Sequence, residues 1–259
     1  AVFEARMLVL IARPDDLWTP AYRQALERRR ESLIDLVVEL DGTLTPPRPG
    51  EPLRVGYAPS LAGDFLSVAI ERFTQFHPRV RVSLYDWSSA EMRSGLAAGK
   101  LDLIVAAPCT AVQEPVRWVA LRDYGWQLVM PANHPRGNKK LVSAKDIAGQ
   151  RLLLYDREHY PDYWDRVTGF FREHHLQAKV AGEFDGVSSL TAALEGNLGI
   201  ALLATSSRLN HGQKQRLISR PLAESPRPIE VAAGVSAEMP TSAQVLAFIE
   251  ELRQAASES

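Results

Sequence analysis

The sequence predicts an α/β fold of two lobes about a cleft, and three observations lead there. Short apolar runs of strand length alternate with helical apolar stripes from residue 53 to the C-terminus. The alternation loosens once, around Pro108–Glu114, and then resumes as a second unit. A late strand and helix follow, and their return to the first unit would join two lobes by two crossovers. Sequence pattern alone does not show that return.

The elements follow in order. Residues 21–41 read as a helix, with Tyr22, Leu26, Leu33, Val37 and Leu40 on one stripe and Arg28, Arg29, Glu31, Asp35 and Glu39 on other faces. Arg30 interrupts the seam, so a helix lying on its own domain and a dimerising pair are equally compatible with the pattern. The proline-rich stretch Asp41–Gly50 ends it and marks a module boundary. Leu53–Tyr57 reads as a strand, the stripe Leu61, Phe65, Leu66, Ala69, Ile70, Phe73 and Phe76 as a helix, Val80–Tyr85 as a strand, Ala90–Ala98 as a helix and Leu101–Ala107 as a buried strand. That is a βαβαβ half of a parallel sheet. The second unit comprises strands at Trp126–Met130, Leu152–Tyr155, Lys179–Gly182 and Leu198–Leu203, with helices near 162–174 and 187–195. Ile229–Val235 and a helix near 241–255 close the chain.

Composition bounds the function. A chain of 259 residues that is 46% hydrophobic and 24% charged has the balance of a soluble globular protein of one large or two small domains. Its net charge of −1 gives no chain-wide basic footprint for nucleic acid. The single cysteine, Cys109, excludes an internal disulfide and a cysteine-rich metal site and fits a reducing compartment, with the cytoplasm as the simplest address. No apolar run approaches the roughly 18 residues of a membrane helix. His174 and His175 beside Glu173 make a poor metal site because adjacent side chains on a helix point apart.

The chemistry concentrates at helix starts. Ser60 follows the first strand at the start of a helix, where unpaired N–H groups and the positive helix end suit an anion. The same device recurs at Ser88-Ser89 and at Pro161-Asp162. Each has a plainer reading: Ser60 as an N-cap, and Ser88 with Glu91 as a capping box, which leaves Ser89 the freer hydroxyl. His159 and Tyr160 would supply a cation and an aromatic wall, and Trp87 would line the cleft or cover the sheet edge. Hydrolase chemistry lacks its elbow, since Ala58-Pro-Ser-Leu-Ala62 has neither glycine, and no phosphate-binding loop or dinucleotide fingerprint is present. The expectation is a binding protein, not an enzyme, with no cofactor and no metal.

A series of landmarks in fixed order resembles the effector-binding domain of the LysR-type transcriptional regulators. They are Leu53-Arg-Val-Gly-Tyr57, Phe73-Thr-Gln-Phe-His-Pro78, Leu96-Ala-Ala-Gly-Lys-Leu-Asp-Leu-Ile104, Pro131-Ala-Asn-His-Pro135, Ser143-Ala-Lys-Asp-Ile-Ala-Gly149 and Gly196-Asn-Leu-Gly-Ile-Ala-Leu202. The resemblance implies two α/β lobes similar to a type 2 periplasmic binding protein, preceded by a linker helix. Lobe one would take 53–122 and 227–255, and lobe two 123–226. Residues 1–20 resemble the end of the family's winged helix-turn-helix, and 21–50 its linker helix and hinge, through which subunits pair as dimer or tetramer. DNA contact would then go through a helix-turn-helix lying before Ala1.

Within the family the chain is similar to regulators of aromatic-compound breakdown that respond to muconate or benzoate. The resemblance implies carboxylate contacts at Ser60, Ser89 and Pro161-Asp162-Tyr163. Asp162 departs from the pattern, which has an amide there. A carboxylate facing the cleft would repel a dianion, which favours a monoanionic, cationic or neutral effector over muconate. Two other readings stay open: a solute-binding protein serving a transporter, and a headless regulator remnant acting through heterodimers. Cys109 reads as structural, since the redox alternative lacks a second thiol.

Overall fold

The computed structural model describes residues 24, 28, 44–45, 51–108, 115–207 and 216–258. The wing-like residues 1–20, Cys109, and the linker helix and hinge beyond Gln24, Arg28, Leu44 and Thr45 lie outside the described residues. Gln24 and Arg28 are both helical and exposed.

The described strands are β1 (Leu44–Thr45), β2 (Leu53–Tyr57), β3 (Val82–Asp86), β4 (Leu103–Ala106), β5 (Val116–Tyr124), β6 (Trp126–Pro131), β7 (Leu152–Tyr155), β8 (Val180–Phe184), β9 (Ala201–Ala204), β10 (Leu217–Pro221), β11 (Ile229–Ser236) and β12 (Thr241–Ser242). The helices are α1 (Pro59–Phe76), α2 (Ser89–Ala97), α3 (Ala144–Ile147), α4 (Pro161–Glu173), α5 (Val187–Glu195) and α6 (Ala243–Glu258).

The first lobe is a five-stranded sheet in the order β3-β2-β4-β11-β5. Strands β2, β3 and β4 run parallel, as the alternation requires. The C-terminal return is real: β11 inserts antiparallel between β4 and β5, so the sheet is mixed. Helix α1 packs on α6 over this sheet. Its Ala62, Phe65, Ala69 and Phe73 are fully buried at spacings of three, four and four residues, the periodicity of one helix face. Burial of a phenylalanine contributes about 1.5–3 kcal/mol.

The second lobe carries the antiparallel sheet β10-β6-β9 and the parallel pair β7-β8, with Leu152 bridging to Ile200. Gly125 alone separates β5 from β6, and residues 222–228 carry the chain back to β11, so both crossovers lie side by side.

The landmark motifs prove to be fold punctuation. Gly99, at φ +66, ends α2, donating its N–H to the Leu96 carbonyl while Lys100 N donates to Gly95 O, a turn only glycine makes cheaply. Asp102 in the same motif accepts from the Arg54 backbone N–H at 2.8 Å and from its guanidinium at 2.6 and 3.0 Å, tying β2 to the start of β4. Ser143 and Asp146 form a capping box at α3. A Cβ on Gly199 would sit 2.2 Å from the Arg151 carbonyl oxygen, and that close approach admits the Ile200 N–H to the same carbonyl at 2.9 Å.

Five elements escape the sequence reading: the two-residue strands β1 and β12, the strands β5 and β10, and the four-residue α3. β5 and β10 are edge strands of their sheets and show irregular burial. Periodicity reads poorly there because one flank has no neighbour to bury against.

Candidate functional site

Three helices begin at one place. α1 and α4 open with proline at their first position, and their N-cap residues, Ala58 and Tyr160, supply no capping side chain. Proline suits that position because its missing N–H would have had no partner. In α1 the Leu61 and Ala62 N–H groups already donate to the Ala58 carbonyl at 2.9 and 3.0 Å, so among its first-turn amides the Ser60 N–H is the one left for something outside the helix. α2 differs: Ser88 accepts from the Glu91 N–H, and Glu91 accepts from the Ser88 N–H and hydroxyl at 2.9 and 2.7 Å. Ser88 is the cap and Ser89 is not. Ser60, at the second position of α1, is no N-cap either.

Between these helix starts lies a small, partly open cavity of about 60 Å³. Of the eight sequence-derived residues, Ser60, Ser89, Tyr160, Asp162 and Tyr163 line it; Pro161, His159 and Trp87 do not. Trp87 instead packs beside Tyr85 at 5.2 Å between ring centroids and lies against Gly95 of α2. His159 turns its imidazole to Asp156, with Nδ1 2.7 Å from Oδ2. That hydrogen bond with Asp156 raises its pKa. Its carbonyl, however, accepts the Ala90 N–H of α2 at 3.2 Å, across the cleft.

The walls are largely aromatic and aliphatic. Trp126, Tyr155, Tyr160 and Tyr163 contribute rings, with Tyr155 at 4.8 Å from Tyr160 and 4.9 Å from Tyr163 between centroids. Three polar tips are already satisfied: Trp126 Nε1 donates to Arg227 O at 2.9 Å, Tyr163 Oη to Leu202 O at 3.0 Å and Tyr160 Oη to Asp185 O at 3.3 Å. Two are not. Tyr155 Oη and Ser207 Oγ are buried with no hydrogen-bond partner, although both residues line the cavity. Such groups are costly to leave unpaired. Burial pushes the Tyr155 phenol upward, which keeps it a neutral donor. The Ser60 hydroxyl lies near enough to oppose that rise slightly, yet no bond of proper geometry forms between them.

Asp162 does face the cavity, as the departure from the family pattern left open. Its Oδ2 lies 3.5 Å from Arg93 Nη1 of α2, with both side chains 12% exposed. Arg166, one turn further along α4, also lines the cavity and donates to Pro228 O. The pair with Arg93 was invisible in sequence because 69 residues separate the partners. Tyr155 and Ser207 were also missed. Tyr155 left one usable signal, a hydroxyl closing the apolar run Leu152–Tyr155 at the C-terminal end of a parallel strand, where α/β sheets place their ligands.

No cluster of three or more histidine, cysteine, aspartate or glutamate side chains that would hold a metal occurs among the described residues. None of the described helices is long and apolar enough to cross a membrane.

A family model described as the LysR substrate binding domain matches residues 47–257. The chain belongs to this family. It is 28% identical over 247 residues to a "probable hydrogen peroxide-inducible genes activator" of Streptomyces viridosporus, covering 94% of this chain and 77% of that protein. Several other curated relatives are matched over about half of their length, among them the transcriptional regulator BenM of Acinetobacter baylyi and OxyR of Escherichia coli. These relatives are transcriptional regulators and not enzymes. Among solved structures, the effector-binding domain of QuiR in complex with shikimate superposes with a TM-score of 0.71 at 14% identity, covering 80% of this chain and 98% of that one. The effector-binding domain of BenM with benzoate gives 0.67 at 22% identity over 80% and 92%. These likenesses establish the two-lobed, periplasmic-binding-protein-like LysR fold.

Proposed function

We propose that this chain is the ligand-sensing and oligomerising portion of a LysR-type transcriptional regulator, binding a small aromatic or carboxylate effector between its lobes. The observation that carries the site is the convergence of the α1, α2 and α4 starts on one aromatic-walled cavity lined by Ser60, Ser89, Asp162 and Tyr163. Directed N–H and hydroxyl donors in a dry cleft hold a carboxylate with little reorganisation. The benzoate bound by BenM's domain and the shikimate bound by QuiR's are ring acids, which supports the chemical class and the aromatic-catabolism branch.

On this reading lobe one takes 53–122 and 227–255 and lobe two 123–226. The linker helix pairs subunits as a dimer or tetramer, and the regulator works in the cytoplasm. Effector binding would bias the angle between lobes and with it the spacing of DNA-binding heads, provided the ligand prefers one arrangement. The test is calorimetry of benzoate and other small acids against the chain beside Ser60→Ala and Ser89→Ala. Loss of binding in both variants is expected, and unchanged binding in both would remove these residues from the site. An effector that leaves the operator footprint of the complete regulator unaltered would sink the switching mechanism.

A further inference from the structure

A helix lying on a sheet normally keeps one face in water, and α1 does: Gly63, Ser67, Glu71 and Gln75, each one turn from the next, are exposed. α6 does not. Its inward stripe, Val245, Phe248, Ile249, Leu252 and Ala255, is buried and meets α1 where Phe248 stands edge-on to Phe73 at 5.1 Å between centroids. Yet Ala243, Leu246, Ala247 and Glu250, which the helical period places on the opposite side, are also only 8, 4, 2 and 4% exposed. The first exposed residue of α6 is Ser257. A cover therefore runs along the outer face for roughly 15 Å of helix. It reaches a carboxylate, Glu250, which also accepts the Gln254 amide at 2.8 Å.

Among the described elements α6 packs chiefly on α1, β5 and β12, the last being the two residues that lead into it. β1 brings more chain to this point. Leu44 and Thr45 pair in parallel with Thr241 and Ser242, and Ser242 Oγ accepts the Val245 N–H at 3.3 Å where α6 starts. The helix that the sequence predicts over 21–41 thus ends beside the α6 N-terminus, and at about 30 Å it is long enough to cover the face. The other stretches outside the described residues are worse placed. Residues 46–50 join β1 to Glu51, and residues 1–20 lie beyond the far end of the predicted helix. Residues 109–114 leave from beside the cleft, where Ala107 lines the cavity, and 208–215 belong to lobe two, between β9 and β10.

Pattern and charge fit the same seat. Tyr22, Leu26, Leu33, Val37 and Leu40 make one stripe, and Gln24 and Arg28, both helical and exposed, stand on the side opposite to it. Arg29 and Arg30 flank the stripe, and a buried carboxylate such as Glu250 calls for cations nearby. We infer that residues 21–43 fold back on their own chain and seat the stripe antiparallel along the outer face of α6. In that register Leu40 lies level with Ala243, Val37 with Ala247 and Leu33 with Glu250. Ile34 and Val38, on another face of the helix, remain for pairing subunits. Since α6 is fixed to α1 and β5, the linker moves with lobe one, whatever the cleft binds.

Cysteine pairs in the whole chain carrying Cys109→Ser test this: Leu40→Cys with Ala243→Cys, Val37→Cys with Ala247→Cys, and Leu33→Cys with Glu250→Cys. Arg28→Cys with Ala247→Cys, which uses the exposed side of the predicted helix, is the control. After mild oxidation, thiol titration and intact mass under non-reducing conditions are read over a dilution series. Both thiols should be lost at monomer mass in at least one of the three pairs, at a rate independent of dilution and on the order of tenfold or more above the control, as neighbouring Cβ atoms allow. A covalent dimer in place of the monomer adduct would assign the stripe to a second copy, and oxidation no faster than the control in all three pairs would assign the cover to other residues; either overturns the inference. A second measurement needs no bond geometry. The single Ala247→Cys thiol should label slowly with maleimide, and Leu33→Asp with Val37→Asp should raise that rate on the order of tenfold or more by freeing the face. An unchanged rate in a chain whose circular dichroism matches the parent's would likewise overturn it.

Discussion

His77 makes acid sensitivity a sharp test of the packing between α1 and α6. The residue ends α1 with its N–H on Phe73 O at 2.8 Å, stacks on the Phe73 ring at 4.4 Å between centroids, and is fully buried. Burial holds its pKa down to about 3, against 6.5 for an ordinary imidazole. The sign follows from linkage: below 6.5 the unfolded chain takes up a proton that the folded chain refuses until about pH 3, so this residue erodes stability as pH falls through that window. Between pH 8 and 4.5 the loss is about 3 kcal/mol, at roughly 1.4 kcal/mol for each unit below the unfolded value. That is a large share of the 5–15 kcal/mol typical of a domain. Urea unfolding of the chain and of His77→Leu at pH 8, 6 and 4.5, extrapolated to zero denaturant, isolates it from the titrating carboxylates common to both proteins. The variant should lose about 3 kcal/mol less than the parent over that range, by the same reasoning. Parallel acid slopes in the two proteins would refute a neutral, desolvated imidazole at this position.

Two further outcomes separate structural from ligand-facing side chains. Ser88→Ala should destabilise by about 1 kcal/mol in thermal melts, since Ser88 caps α2 and is buried, yet leave acid binding close to the parent's. Ser89→Ala should do the reverse, changing stability by less than about 0.5 kcal/mol while weakening acids several-fold. Trp126 lines the cavity, so a bound ring acid should change tryptophan fluorescence; Trp126→Phe should remove most of that change while calorimetry still detects binding. A signal of equal size in the variant would place the ligand elsewhere.

The alternation of strand and helix was readable wherever an element has one buried stripe or is buried on both faces, as α1, β4 and β7 are. It faded at β5 and β10, where Arg117, Arg122 and Asp123, or Ser219 and Arg220, occupy edge positions that tolerate charge. The site divided along a similar line. Ser60, Ser89 and Asp162 were legible because each sits within two residues of a helix start, a local signal. Arg93, Tyr155 and Ser207 acquire meaning only when chain segments far apart in sequence are folded together. His159 and Trp87 illustrate the converse: adjacency in sequence to a helix start does not aim a side chain, and Asp156 and Gly95 captured them.

The contacts that span the cleft lie beside the groups proposed to hold the ligand. Ser206 reaches the carbonyl of Ser60 itself, Ala90 next to Ser89 reaches His159, and Arg93 reaches Asp162. A ligand engaging Ser60, Ser89 and Asp162 would act on the same backbone and the same ion pair that join the lobes there. Each hydrogen bond of this kind is worth about 0.5–1.5 kcal/mol net. Gaining or losing two of the three therefore matches the 1–3 kcal/mol of a typical allosteric coupling. On the proposed site, communication from cleft to lobes would require no separate pathway, because the proposed binding groups lie among the residues that make these interlobe contacts.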